Sequence, residues 1–245
     1  EKIQELRRYI LDNIDWKCDV FTLFQETNLG CKNAVSQAIN WFFKNEEMGI
    51  VLEDDCLPSQ SFFWFCQELL TRYINDERIF LINGYNHQQT WKPEQNDYFF
   101  SLLGGIWGWA SWRRAWKHYD IEMSDINTFM QSGGFERVLG DSLGKIKKNM
   151  IYDGIVVKKI DSWALQWGYA RHKNNALTCI PSKSLIENIG FGEDATHTDE
   201  VNIRQVKRQE LAYDLRINSS VESDFEYDNL MFSKENLFSK ILRKL

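Results

Sequence analysis

Five residues without charge, Met48-Gly49-Ile50-Val51-Leu52, run straight into three adjacent acids, Glu53-Asp54-Asp55, and an aromatic helical pattern, Phe62-Phe63-Trp64-Phe65, follows at once. A short unbroken apolar run reads as a strand buried on both faces, the kind found in parallel sheets. One charge is enough to end such a strand. Three neighbouring carboxylates repel one another, and they stay ionised together only when a cation compensates them. Oxygen-rich clusters of this type suit Mg²⁺ or Mn²⁺. In open α/β sheets, ligands bind beyond the carboxyl ends of the strands, where this cluster is expected to fall. The plain alternative is an exposed acidic turn leading into a helix cap. The buried strand before it and the apolar helix after it favour the cluster.

The rest of the chain keeps a similar rhythm at first. Ile3, Leu6, Ile10 and Leu11 have helical spacing. A strand is expected at 19–24, then a helix with Ala34, Val35, Ala38, Ile39 and Phe42 on its apolar face, the acid-tipped strand, a helix over 61–74 and a strand over 78–82. This alternation predicts an α/β fold with right-handed crossovers and a mostly parallel sheet flanked by helices. Beyond Asn86 the pattern predicts a strand at 98–103, a tight glycine-aromatic segment at 104–109, a helix over 110–119 and short helices over 126–149. A helix over 162–174, a strand over 176–180 and a polar loop over 187–198 complete it. One domain over 1–200 and a helical C-terminal tail over 201–245 are expected.

A chain of 245 residues with 43% hydrophobic content can bury one large core. Its net charge of −6 lacks the basic footprint of a general nucleic-acid binder, so no nucleic-acid partner is expected. Five cysteines without CxxC spacing indicate neither a disulfide framework nor a zinc site, and a cytoplasmic setting is expected. No leader pattern opens the sequence. The longest uncharged run, 98–112, is too short to span a bilayer. In the last segment Leu237, Phe238, Ile241, Leu242 and Leu245 stand beside Lys240, Arg243 and Lys244. That pattern suits peripheral contact with the inner face of a membrane, and it suits packing on the domain equally well. Ten Trp and sixteen Phe serve either a core or the flat faces on which sugars stack.

Several motifs stand in a recognisable order. Asn28-Leu29-Gly30-Cys31-Lys32, Ile50 to Asp55 and Ser61-Phe62-Phe63 are followed by Gly104-Gly105-Ile106-Trp107-Gly108-Trp109 and Asp161-Ser162-Trp163. Asn188-Ile189-Gly190-Phe191-Gly192 and Thr196-His197-Thr198 close the set. Together they resemble the GT-A-fold nucleotide-sugar glycosyltransferases, nearest the bacterial family-2-like enzymes and more distantly the N-acetylglucosaminyltransferase I group. Members usually begin with a strand and a loop that floor the nucleotide base, whereas this sequence opens in a helix. The resemblance therefore implies either a domain incomplete at its N-terminus or a base held differently.

That resemblance implies a metal-dependent enzyme, hexosyl- or N-acetylhexosaminyl-type. It would move sugar from a nucleotide-diphosphate donor to a carbohydrate or glycolipid acceptor, with inversion, in bacterial surface polysaccharide or glycoconjugate synthesis. It implies that Asp55 binds Mn²⁺ or Mg²⁺ and that Glu53 and Asp54 contact the ribose or donor sugar. His197 is a further candidate ligand, and Lys32 a candidate for the donor phosphates or base. Gly105 and Trp109 belong to the expected donor-binding set, and the Trp107/Trp109 pair is a candidate sugar-stacking surface. Asp161 is the candidate base that takes the acceptor proton, with Glu193 and Asp194 in reserve; its simpler role is N-cap of the 162–174 helix. The glycines of 189–198 suit a lid over the ligand. Two other readings stand beside the enzyme: a non-catalytic nucleotide- or sugar-binding remnant, and a metal-dependent phosphohydrolase. The phosphohydrolase would need more ligands than Asn83, Asn86 and His87 supply.

Overall fold

The sheet at the centre is built from five short strands of mostly apolar or small residues: β1 (Met48–Val51), β3 (Ile79–Asn83), β4 (Tyr98–Ser101), β5 (Trp109–Trp112) and β6 (Leu177–Pro181). The computed structural model describes residues 2–157, 160–190 and 206–232. Strand order is β1-β5-β3-β6-β4, and β2 (Cys56–Pro58) pairs with β7 (Ile186–Asn188) in a separate two-stranded sheet. Only β3 and β6 are parallel neighbours; the β1/β5, β3/β5 and β4/β6 pairs are antiparallel. The fold is α/β, but the sheet is mixed rather than mostly parallel. The physical reason is β5. β1 and β3 point the same way, as the strand–helix rhythm implies, yet β5 enters between them from a loop and opposes both.

β5 also corrects the helix expected over 110–119. Ala110 and Ser111 read as helix-compatible, but alternation decides the outcome. Trp109 turns into one cluster and Ala110 and Trp112 into the other. The Trp112 indole donates to the Leu70 carbonyl at 3.1 Å. Only one helical turn follows, α4 (Arg113–Trp116).

The expected strand over 19–24 is likewise absent. Val20, Phe21, Leu23 and Phe24 are exposed, and α1 (Lys2–Asp12) buries none of its residues. β1 is an edge strand, half-exposed instead of buried on both faces.

Helices cover the sheet. α3 (Gln60–Arg72) inserts Phe62, Phe65 and Leu69 into the larger core. α2 (Gly30–Asn45) and α8 (Ala164–Lys173) meet around the second, where Ile39, Phe43, Trp167 and Ala170 pack with Trp109, Trp116 and Trp163. Four indoles in one cluster explain much of the tryptophan content. Each buries roughly 150–250 Å² and contributes several kcal/mol at most. Between β5 and β6 the chain also forms α5 (Ile126–Gln131), α6 (Gly134–Leu139) and α7 (Asp141–Tyr152), with a π-helical turn at Asp153–Val157.

The expected helical tail is helical only in part. Residues 206–224 form an irregular strap without helix, and α9 (Phe225–Phe232) follows. Val206, Leu211, Tyr227 and Met231 are buried in the larger core. The Glu210 carboxylate accepts the N–H groups of Gln60 at 3.1 Å and Ser61 at 2.9 Å, capping α3. Residues 237–245 lie outside the described residues. Among the described residues, no helix is long and apolar enough to cross a membrane.

Candidate functional site

The acidic triplet forms a tight turn between β1 and β2. The Cys56 N–H donates to the Glu53 carbonyl at 3.1 Å. Glu53 and Asp55 are half-buried, and Asp54 is exposed. Asp55 is held by the strand that pairs with β2: its carbonyl accepts the Ile189 N–H at 2.9 Å, and its Oδ2 accepts Nδ2 of Asn188 at 3.0 Å. A Cβ at Gly190 would collide with that same Oδ2, so glycine alone allows the chain to pass this close.

Burial and then the Asp55 charge raise the Glu53 carboxyl to about 7, and a hydrogen bond from the Trp163 side chain opposes the shift. Burial and then Asp55 push the Cys56 thiol up to about 12. The donor atoms of Glu53, Asp55 and Cys56 lie within 4.8 Å of one another, the only such group of three among the described residues. The thiol is protonated near neutral pH, so the useful donors are the carboxyl groups of Asp55 and Glu53, the latter about half-ionised there. Such a set fits Mg²⁺ or Mn²⁺, which take the remaining ligands from water and phosphate; it does not fit the nitrogen and sulfur preference of zinc.

Asp161 occupies an unexpected place. Its Oδ2 accepts the Cys31 N–H at 2.8 Å and its Oδ1 the Lys32 N–H at 3.1 Å, so it caps α2, about 130 residues earlier in the chain. The start of α8 is served instead by the Ser162 hydroxyl, which accepts the Ala164 N–H at 3.2 Å. Gly30 makes the approach feasible. Its φ is +73°, and a Cβ there would lie 2.6 Å from Oδ2 of Asp161.

The Cys31 thiol is pushed up by burial, then by the charges of Glu53 and Asp161. The acidic turn, the first turn of α2 and Asp161 are therefore electrostatic neighbours. Trp163 joins them to the core, bonding Glu53 while its ring stacks on Trp109 at 5.8 Å. Lys32 is half-buried, and its ammonium forms no ion pair among the described residues.

The glycine-aromatic loop borders the same corner. Gly108 has φ +62°, its carbonyl accepts the Gly84 N–H at 2.7 Å, and a Cβ on it would stand 3.3 Å from Cδ2 of Leu52. Gly105 sits against Asn83 and His87, at 3.4 and 3.5 Å from the position of a Cβ. Trp109 is fully buried and offers no face to a sugar, which corrects its expected stacking role. Half-buried Trp107 meets Tyr85 edge to face at 4.8 Å and retains exposed surface.

His197, Glu193 and Asp194 lie outside the described residues, as does the expected lid beyond Gly190. Asn188 as the anchor of Asp55 was not read from the sequence. Its one signal is local: Asn188 Oδ1 accepts the Gly190 N–H at 2.8 Å, the Asx-turn geometry that Asn-x-Gly favours. No family model matches the chain, and no curated protein matches it.

Proposed function

We propose that the protein is a metal-dependent glycosyltransferase of GT-A-like architecture, transferring a sugar from a nucleotide-diphosphate donor to an acceptor hydroxyl. The observation that supports this reading is the Glu53–Asp55 carboxyl pair beyond the end of β1, with Asp161 held at the first turn of α2 where both Glu53 and Asp161 act on the Cys31 thiol. Asp55, steadied by Asn188, and Glu53 would hold Mn²⁺ or Mg²⁺. When bound, the cation neutralises the charge that develops on the leaving diphosphate.

The chain's own groups supply the remainder. The first-turn N–H groups of α2 are taken by Asp161, so the ammonium of Lys32, and not the helix end, is the phosphate contact. Asp54, exposed beside the metal pair, is the carboxylate left for the ribose or donor sugar, and Trp107 gives the sugar a stacking surface. Asp161 is exposed, and its two backbone bonds leave lone pairs on both oxygens to accept the acceptor's proton. By resemblance the transfer inverts the anomeric centre and serves bacterial surface polysaccharide or glycoconjugate synthesis.

The test is a thermal-shift panel of nucleotide diphosphates and their sugars, with and without Mn²⁺, on wild type and Asp55→Ala. Stabilisation by a nucleotide diphosphate only when Mn²⁺ is present, lost in Asp55→Ala, is the expected result. Equal stabilisation in both proteins removes Asp55 from the metal role.

A further inference from the structure

Away from the acidic corner, α7 and α8 bring three basic side chains together. Arg171 is 4% exposed and His172 1%. Lys147 is half-buried, and its Nζ comes to 3.9 Å of where a Cβ on Gly168 would stand. Two guanidinium nitrogens of Arg171 are used structurally: Nη1 donates to the Thr178 hydroxyl at 2.8 Å and Nη2 to the Gly104 carbonyl at 3.1 Å.

The cluster is incomplete as it stands. Arg171 Nε and His172 Nδ1 are buried without a hydrogen-bond partner among the described residues. No ion pair of Lys147 or Arg171 occurs among the described residues. The charges that act on the cluster come from its own members. Burial and then Arg171 bring the Lys147 ammonium down to about 7, and burial, Lys147 and Arg171 push His172 well down. Burying like charges without an opposite one is costly, and unsatisfied donors add to that cost. Lys147 Nζ lies in van der Waals reach of a Cβ placed on buried Gly168, so the ammonium sits over the turn of α8 that precedes Arg171 and His172.

We propose that Lys147, Arg171 and His172 form a binding site for a phosphate group. Arg171 is a full cation and Lys147, half-protonated near neutral pH, takes up its proton fully when an anion sits beside it; with no carboxylate paired to either, this favours a dianion over a monoanion, and phosphoryl groups carry about −1.5 to −2 charge near neutral pH. The lysine supplies a point charge with three donors, Arg171 Nε is a donor still free, and His172 Nδ1 joins it in the tautomer that carries its proton there. The site is independent of sugar transfer and of the metal.

The experiment is a thermal-shift series with inorganic phosphate, acetate or chloride at matched ionic strength, on wild type, Lys147→Gln and Gly168→Asp. Phosphate at tenfold its dissociation constant should raise the wild-type Tm by about 3–5 °C. Acetate should do less, and chloride nothing. Lys147→Gln should lose the phosphate response. Gly168→Asp, which places a carboxylate in the space beside the ammonium, should lose it as well while folding at least as stably as wild type. No phosphate-specific shift in wild type overturns the proposal, and so does an undiminished shift in either variant.

Discussion

Asp161 and Glu210 do the same local work in different company. Each carboxylate comes from far along the chain and accepts two N–H groups in the first turn of a helix, α2 for Asp161 and α3 for Glu210. Each satisfies donors that the helix leaves unpaired and places negative charge at the positive end of its dipole. Glu210 has Arg208 nearby, and its pKa is lowered, first by its hydrogen bond with Ser61. Asp161 instead shares a corner with Glu53 and a thiol that both acids disturb. A cap needs only the helix end; further acids gathered around it are what a cation site needs.

The largest expected effect separates the two caps by chemistry. Asp161→Asn keeps one capping oxygen but cannot accept a proton near neutral pH, so sugar transfer should fall by roughly 10²–10⁴. Stability should fall by only about 1 kcal/mol, because one charge-assisted cap bond is lost. Steady-state transfer assays and denaturant melts on the same preparation read both numbers. Normal transfer with Asn at this position reduces Asp161 to a cap and makes the two carboxylates equivalent.

Gly30→Ala sharpens the comparison through the backbone. A residue with a Cβ costs about 1–2 kcal/mol at φ +73°, and here it also meets Asp161. The variant should be destabilised by at least that amount and should lose transfer activity as the carboxylate is displaced. A stable Gly30→Ala with full activity would show that the contact between Gly30 and Asp161 is dispensable.

Glu210→Gln should give the smallest effect, about 0.5–1 kcal/mol of stability and no change in transfer rate. Its pH dependence has a fixed sign. The folded-state pKa lies below the ordinary 4.5, so the ionised cap stabilises the fold above that value, and the contribution is lost as pH falls through the lowered pKa. The gap between wild type and Glu210→Gln should therefore be full at pH 7 and shrink below about pH 4.5. Paired urea melts at pH 7 and pH 3.5 would measure it. A gap that widens on acidification would mean that the carboxylate does not act as an ionised cap.

By itself the sequence determined some of the local elements, α2 and α3 among them, and the acidic turn. The apolar spacing of α2 and α3 and the strand that runs into Glu53 are legible because helix and strand periods act over a few residues. What it could not determine is whatever depends on partners distant in the chain. The 19–24 segment is rich in strand-forming residues yet gains no strand partner, whereas Trp109–Trp112 lacks a clear strand signal and becomes one because β1 and β3 flank it. The motif order drew attention to Asp161, but its hold on α2 depends on a contact across about 130 residues. The Asn188 grip on Asp55 depends on β2 pairing with β7. The Lys147–Arg171–His172 cluster had no sequence signal either, because charges spread over two helices look solvated until packing removes the water. Periodicity is a property of neighbours along the chain; capping, desolvation and strand order are properties of neighbours in space, and only the tertiary structure decides those.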